Sequence, residues 1–171
     1  MKFFLTIAVT ATIFGHAESV NNNSNSLYLG VGVSAEIPTW YNGSLAGALT
    51  LGKPLIKAGQ GWIGAEAEVT NTLIDGSKNN VDFSATTLAG YATYIFDIDS
   101  KLYIKPRVGV VYKKYDINSE AWGTKSTTEL GIAYGFGVGI RFTDNINIYA
   151  NYTMVENSDL MHLTTGLEYH F

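Results

Sequence analysis

Glu156, Ser158, Asp159 and His162 carry the groups a hydrolase needs: a hydroxyl nucleophile, an imidazole base and a carboxylate to orient it. The same residues suit a plain reversal of the chain, because Ser and Asp bond their own backbone in turns. The sequence around them identifies no oxyanion donors. Glycines 135, 137 and 139 form a Gly-rich run, but they lie inside an alternating stretch and open no helix, so a nucleotide loop is not expected. No His-Glu-x-x-His or paired-His spacing supports a metal. Cysteine is absent, which removes thiolate ligands and disulfides together. Of the other histidines, His162 reads as an interior polar group and His170 as an interfacial one. The expectation is a chain with no enzyme activity, no cofactor and no metal.

The remaining chemistry is electrostatic, and its meaning depends on which elements hold the charges. The chain has 171 residues, enough for one domain, with charged residues at 15% against the roughly 25% of ordinary soluble domains. Net charge is -4, without the basic stripe a nucleic acid would need. Residues 1–17 place Lys2 before an apolar run from Phe3 to Phe14 and close on small residues at Gly15 and Ala17. That is a secretory signal peptide, too short to cross a bilayer as a helix. Residues 18–26 form a flexible polar lead-in, and 27–171 the domain proper.

No helical period is convincing beyond residue 17. Instead, eight extended segments alternate by two: 27–35, 44–52, 62–70, 83–96, 101–115, 128–142, 146–155 and 160–171. Very short joins at 97–100 and 143–145 contrast with longer ones at 36–43, 71–82, 116–126 and 156–159. One join breaks the rule, since 53–61 is long where a short turn is expected. Short turns at one end and longer loops at the other are the layout of a transmembrane barrel. The predicted fold is all-β: an eight-stranded antiparallel up-and-down transmembrane β-barrel with both termini on the short-turn side.

Alternation alone leaves a soluble barrel open. The polar face argues for the membrane, because it is built from Gly131, Ala133, Gly135, Gly137 and Gly139, with Gly30 and Gly32 elsewhere. Glycine has no use on a solvated sheet face, whereas small residues suit a crowded lumen. Parity then turns Glu66, Glu68, Glu129, Glu168, Lys105, Arg107, Lys113 and Arg141 inward as a lumen charge network. It turns Tyr94, Phe96, Phe142, Tyr169 and Phe171 outward near the short-turn end, and Tyr112 and Tyr152 outward nearer the loop end, as membrane girdles. Pro106 predicts a bulge or an irregular strand. Trp40, Tyr41 and Trp122 sit in loops.

The final LTTGLEYHF, with Leu163, Leu167, Tyr169 and terminal Phe171 on one face, resembles the C-terminal assembly signal of Gram-negative outer-membrane barrels. With LYLGVGV (27–33), SATTLAGYATYIF (84–96), KLYIKPRVGVVY (101–112) and AYGFGVGIRFTDNINIYANYT (133–153), the chain resembles the small outer-membrane β-barrel family of the OmpA-like, OmpX and opacity type. The resemblance implies an outer-membrane location with periplasmic termini. Its partners would be outer-membrane lipid and lipopolysaccharide, with the barrel-assembly machinery acting during insertion. A monomer is expected, with no surface partner legible in the loops. It implies a non-catalytic structural or surface-interaction role. The alternatives are a small porin-like channel and, more remotely, a lipid A-modifying enzyme. No peptidoglycan-binding segment follows residue 171, which counts against a cell-wall tether.

Overall fold

The computed structural model describes residues 26–38, 42–78, 81–119, 123–156 and 160–171. The proposed signal peptide and most of the lead-in lie outside them, as do Trp40, Tyr41, Trp122, Ser158 and Asp159. The strands are β1 (Tyr28–Pro38), β2 (Ser44–Ala58), β3 (Gly61–Ile74, continued by Gly76–Lys78), β4 (Val81–Asp97), β5 (Leu102–Ser119), β6 (Gly123–Arg141), β7 (Ile146–Val155) and β8 (Leu160–His170). Each pairs antiparallel with the next, and β1 closes on β8 from Tyr28↔His170 to Pro38↔Leu160. The result is the expected eight-stranded up-and-down barrel.

Hydrogen-bonded partners lead round the wall from Leu102 to Ile140, Ile148, Leu167, Val31, Leu49, Val69 and Leu88, and return to β5 at Tyr112. The stagger from Leu102 to Tyr112 is ten residues over eight strands. With strands about 4.8 Å apart and a rise of about 3.3 Å per residue, it fixes a tilt of about 40° and a backbone radius of about 8 Å. Such a cylinder has room for side chains and little else.

The anomalous join at 53–61 disappears. β2 runs on to Ala58 and β3 starts at Gly61, so only Gly59 and Gln60 reverse the chain. Gly59 supplies the left-handed conformation the turn needs, with φ of 60°. Pro54 misled the sequence reading; it sits in β2 beside a register shift between Pro54 and Ile56, the bulge that a residue without an N–H invites. All three tight turns therefore lie at the end that carries the termini. In the next of them, Asp99 accepts the N–H groups of Lys101 at 2.6 Å and Leu102 at 2.7 Å. These two bonds hold its carboxyl below the usual carboxylate range.

Pro106 produces no bulge. It keeps its place opposite Phe136, while the β4 ladder lacks rungs at Tyr94 and Ile95 and resumes in unchanged register at Phe96↔Ile104. At the other end the strands outrun expectation, reaching Ser119 on β5 and Gly123 on β6. Much of what read as loop is a hairpin standing beyond the barrel.

Side-chain direction follows the expected parity. Val31, Leu51, Val108, Val110, Leu130, Ile132, Phe136 and Leu167 point outward and are exposed, while Tyr28, Glu66, Tyr103, Lys105, Arg107, Tyr149 and Glu168 are buried inside. The inward glycines make room for rings. A Cβ on Gly139 would overlap the Tyr103 ring, and one on Gly52 would overlap Tyr28. Gly90 faces outward, and a Cβ there would meet nothing within 4 Å. Gly139→Val should therefore destabilise the barrel by roughly 1–3 kcal/mol through overpacking, and Gly90→Ala should not. Urea unfolding of the detergent-refolded protein, followed by the loss of its compact gel band, measures both.

Candidate functional site in the barrel lumen

Five charged side chains meet at mid-lumen because β3 and β5 each turn two inward residues, and β8 one, to neighbouring levels. Lys105 Nζ lies 2.6 Å from Glu66 Oε2 and 2.9 Å from Glu168 Oε1. Arg107 Nη1 lies 2.8 Å from Glu66 Oε1 and 3.0 Å from Glu68 Oε2. Glu66 thus bridges both cations. The spacing of two on β3 and on β5 is what makes this possible, since i and i+2 share a sheet face.

Three carboxylates face two cations here, and neutral groups complete the shells. Tyr28 donates to Glu66 at 2.7 Å and Tyr103 donates to Glu168 at 2.7 Å. Arg107 donates through Nε to Thr153 at 3.0 Å, and its guanidinium lies over the Tyr91 ring at 4.3 Å. The ammonium of Lys105 lies 5.0 Å from the Tyr28 ring centre. Side chains of Glu66 and Arg107 have no accessible surface, and Lys105 has 1%. Buried charge at this density persists only when fully paired. Below it, at the terminal end, a cavity of about 30 Å³ between Tyr28, Tyr103, Lys105, Arg141 and Glu168 has space for about one water.

Not all eight expected members join this cluster. Arg141 sits at the mouth, where it pairs with Asp97 at 2.5 Å and lies over the Tyr103 ring at 5.4 Å. It ends β6, level with Asp97 at the end of β4, so Asp97 is the acid it meets. Lys113 and Glu129 pair with each other at 3.5 Å towards the opposite end, with Glu129 42% exposed.

Sequence reasoning passed over Glu36, which it assigned to a loop. β1 continues past it, and the buried carboxylate accepts from Ser44 at 2.7 Å, Thr72 at 2.7 Å and Thr70 at 3.3 Å. The available signal was parity, since Tyr28, Gly30, Gly32, Ser34 and Glu36 continue one inward row. His162 lies directly across from Glu36 on β8 and is buried in the lumen. His170 is inside rather than interfacial: its Nε2 meets Asn147 Nδ2 at 2.8 Å, and its ring lies 5.2 Å from Tyr28.

On the outer surface, Tyr94, Phe96, Phe142, Tyr169 and Phe171 gather near the terminal end. Tyr169 and Phe171 meet edge to face at 5.1 Å. Tyr94 donates to the Ala58 carbonyl at 2.9 Å. Leu163 and Leu167 are exposed on the same outer face of β8. Tyr112 and Tyr152 do not share a level, because Tyr112 stands opposite Leu130 on β6 whereas Tyr152 stands opposite Phe136.

A closed barrel with an apolar outer belt, a salt-bridged lumen and tight turns beside both termini is a bilayer-spanning β-barrel. Residues 6–171 match the family model described as outer membrane protein beta-barrel domain, and the chain belongs to that family. Its location is the cell outer membrane, with both termini periplasmic. No curated protein sequence matches it. Among solved structures it is similar to Ail, the attachment invasion locus protein of Yersinia pestis, at 17% identity and a TM-score of 0.59, covering 86% of this chain and 97% of that one. It is similar to Neisserial surface protein A at 13% identity and a TM-score of 0.61, covering 85% and 97%. A major outer membrane protein from Thermus thermophilus aligns at 13% identity and a TM-score of 0.63, covering 85% and 100%. These likenesses concern the fold.

The bridging position of Glu66 sets an expectation. Glu66→Gln should cost about 1–3 kcal/mol, because each of two buried cations loses one carboxylate partner and keeps another. Asp97→Asn at the solvated mouth should cost about 1 kcal/mol or less. Urea midpoints of the refolded variants compare them directly.

Proposed function

We propose that this chain is a non-catalytic outer-membrane barrel with a structural and surface-interaction role. The observation that carries the reading is the mid-lumen cluster of Lys105, Arg107, Glu66, Glu68 and Glu168, in which each cation is salt-bridged to two carboxylates across the bore. An ion path needs water-lined charge and a wider cylinder. The rival reading, a small porin-like channel, would have to open this cluster. A lipid A-modifying enzyme would need His162 at the lipid face, and its side chain is in the lumen.

The surface end carries an acidic balance, with Asp75, Asp82, Asp116, Glu129 and Glu156 against Lys78, Lys114 and Lys125. Ail has been solved in complex with the heparin analogue sucrose octasulfate. The charge balance of this chain gives no comparable support for a sulfated polyanion. Outer-membrane lipid and lipopolysaccharide are the partners of the apolar belt, and the closed wall needs no second copy to complete it.

Planar-bilayer recording tests the reading: the refolded mature protein should show no sustained unit conductance in symmetrical salt. Reproducible unit steps would transfer the assignment to the channel.

For assembly we propose export with cleavage near Ala17, then recognition of Leu163, Leu167, Tyr169 and Phe171 by the barrel-assembly machinery. Phe171 is 47% exposed on the lipid face, so its burial contributes at most ~2–3 kcal/mol to the finished barrel. Phe171→Gln should nevertheless cut the surface level several-fold in cells while lowering the stability of the detergent-refolded protein by no more than that amount. Normal surface levels would dismiss the recognition role.

A further inference from the structure

The outer wall is apolar between its two rims, with one charged interruption. Strand parity turns Lys53 of β2 outward with Leu45, Leu49 and Leu51, and its side chain is exposed. Lys114 and Asp116 also face outward, but they stand beyond Tyr112 at the surface end and pair with each other at 3.8 Å. Lys53 forms no ion pair among the described residues.

The depth of Lys53 follows from the ladder. Tyr28 pairs with Gly52 on one side and with His170 on the other. The next row therefore runs from Phe171 through Leu27 to Lys53, and on to Ala65 and Ala92. At a tilt of about 40°, a row climbs about 3 Å per strand and a strand about 2.5 Å per residue. The Cα atom of Lys53 thus stands about 6 Å nearer the membrane centre than that of Phe171, level with Tyr94. A charge at this depth faces lipid and calls for an anion. Its four-carbon stem lets the ammonium descend to the phosphate level while the carbons stay in lipid.

The strand beneath Lys53 shapes what it meets there. The bulge beside Pro54 turns both Leu55 and Ile56 outward, and both are exposed. Lys57 follows, exposed just past this apolar step. Its Cα atom lies about 8 Å below that of Lys53, so the two ammonium groups can reach one level from opposite sides. The acids of the neighbouring turn are engaged, since Asp97 holds Arg141 and Asp99 accepts from Lys101 and Leu102. Asp144 lies across the barrel, in the join between β6 and β7.

From this arrangement we infer that Lys53 and Lys57 form a binding site for one anionic glycerophospholipid of the periplasmic leaflet. Its phosphate sits between the two ammonium groups beside Leu55 and Ile56, and its acyl chains rise along Leu51, Ala65 and Ala67. Lipopolysaccharide is anchored in the opposite leaflet and does not reach this level. An ethanolamine headgroup would set its own ammonium beside Lys57, with no free acid to receive it. A glycerol headgroup adds no charge, so the partner is a lipid of the phosphatidylglycerol class. The site depends on the place of the chain in the membrane and not on its surface role.

The test is NMR of the refolded protein in phosphatidylcholine nanodiscs, with phosphatidylglycerol replacing the host lipid stepwise. The amides of Lys53, Leu55 and Ala65 should shift and then saturate, with half the change when roughly one lipid in ten is phosphatidylglycerol. That midpoint is a preference of about tenfold over phosphatidylcholine. The amide of Val138, at a similar depth on the opposite wall, should not follow. Lys53→Gln should lower the preference to about threefold or less, Lys57→Gln should act in the same direction, and Lys53→Arg should keep it. The compact gel band checks that each variant is folded. A shift that grows in proportion to phosphatidylglycerol without saturating would overturn the inference, as would equal saturation by phosphatidylethanolamine. So would an undiminished preference in both glutamine variants, or the same shifts from soluble glycerol phosphate in the buffer.

Discussion

Inside a bilayer there is no water to accept a stray hydrogen bond, so a sheet can cross it only by closing on itself. The β1–β8 seam, eleven residue pairs from Tyr28↔His170 to Pro38↔Leu160, meets that requirement, and much else in the molecule follows from it. Closure with a stagger of ten over eight strands sets the radius. The radius decides that the interior is filled by side chains rather than by solvent. Filling decides that inward positions alternate between glycine and large rings, with Tyr28 over Gly52 and Tyr103 over Gly139. Two tyrosines placed in this way then serve as donors to Glu66 and Glu168. The charges of the lumen are held by the same geometry that excludes water from it.

The distribution of charge has a physical logic. Taking an ion out of water costs several kcal/mol, and only close, well-oriented partners offset it. The most buried charges, Lys105, Arg107, Glu66, Glu68 and Glu168, are accordingly multiply contacted. Pairs nearer the openings are simpler: Arg141 meets Asp97 at one mouth, and Lys113 meets Glu129 towards the other. Glu36 is the exception, a buried carboxylate held by three hydroxyls. Hydroxyl donors can satisfy an anion by local hydrogen bonding, which suits a position where no inward lysine or arginine lies on the adjacent β2 or β8.

The fold and the inward set of charges were legible in the sequence because both depend on a period of two, which local composition displays. Parity placed Glu66, Arg107 and Glu168 inside before any partner was known. Strand ends were less legible. Pro54 and the glycines at 59 and 61 resemble a loop in one dimension, while in three they are a bulge and a two-residue turn. Partners were not legible at all. Whether Arg141 meets Glu168 or Asp97 depends on stagger, a property of the closed cylinder that no single strand carries. Glu36 was lost for a related reason: cutting β1 short at residue 35 removed it from the inward row.

The long strands reveal a division of labour between the two ends. A strand inside the membrane must have partners on both sides, so every residue of β7 and β8 within the belt is committed to the wall. Beyond the belt that obligation lapses, and water can solvate an open edge. The chain uses this freedom unevenly: β7 and β8 stop near the rim, whereas β5 and β6 go on to Ser119 and Gly123. The Thr- and Ser-rich composition of 124–128 fits that position, since such residues keep β geometry without adding an apolar surface that would sink into lipid. Aggregation through the edge is discouraged by the orientation all copies share in one membrane, so an exposed ladder can be kept here with less of the hazard it would bring to a freely tumbling protein.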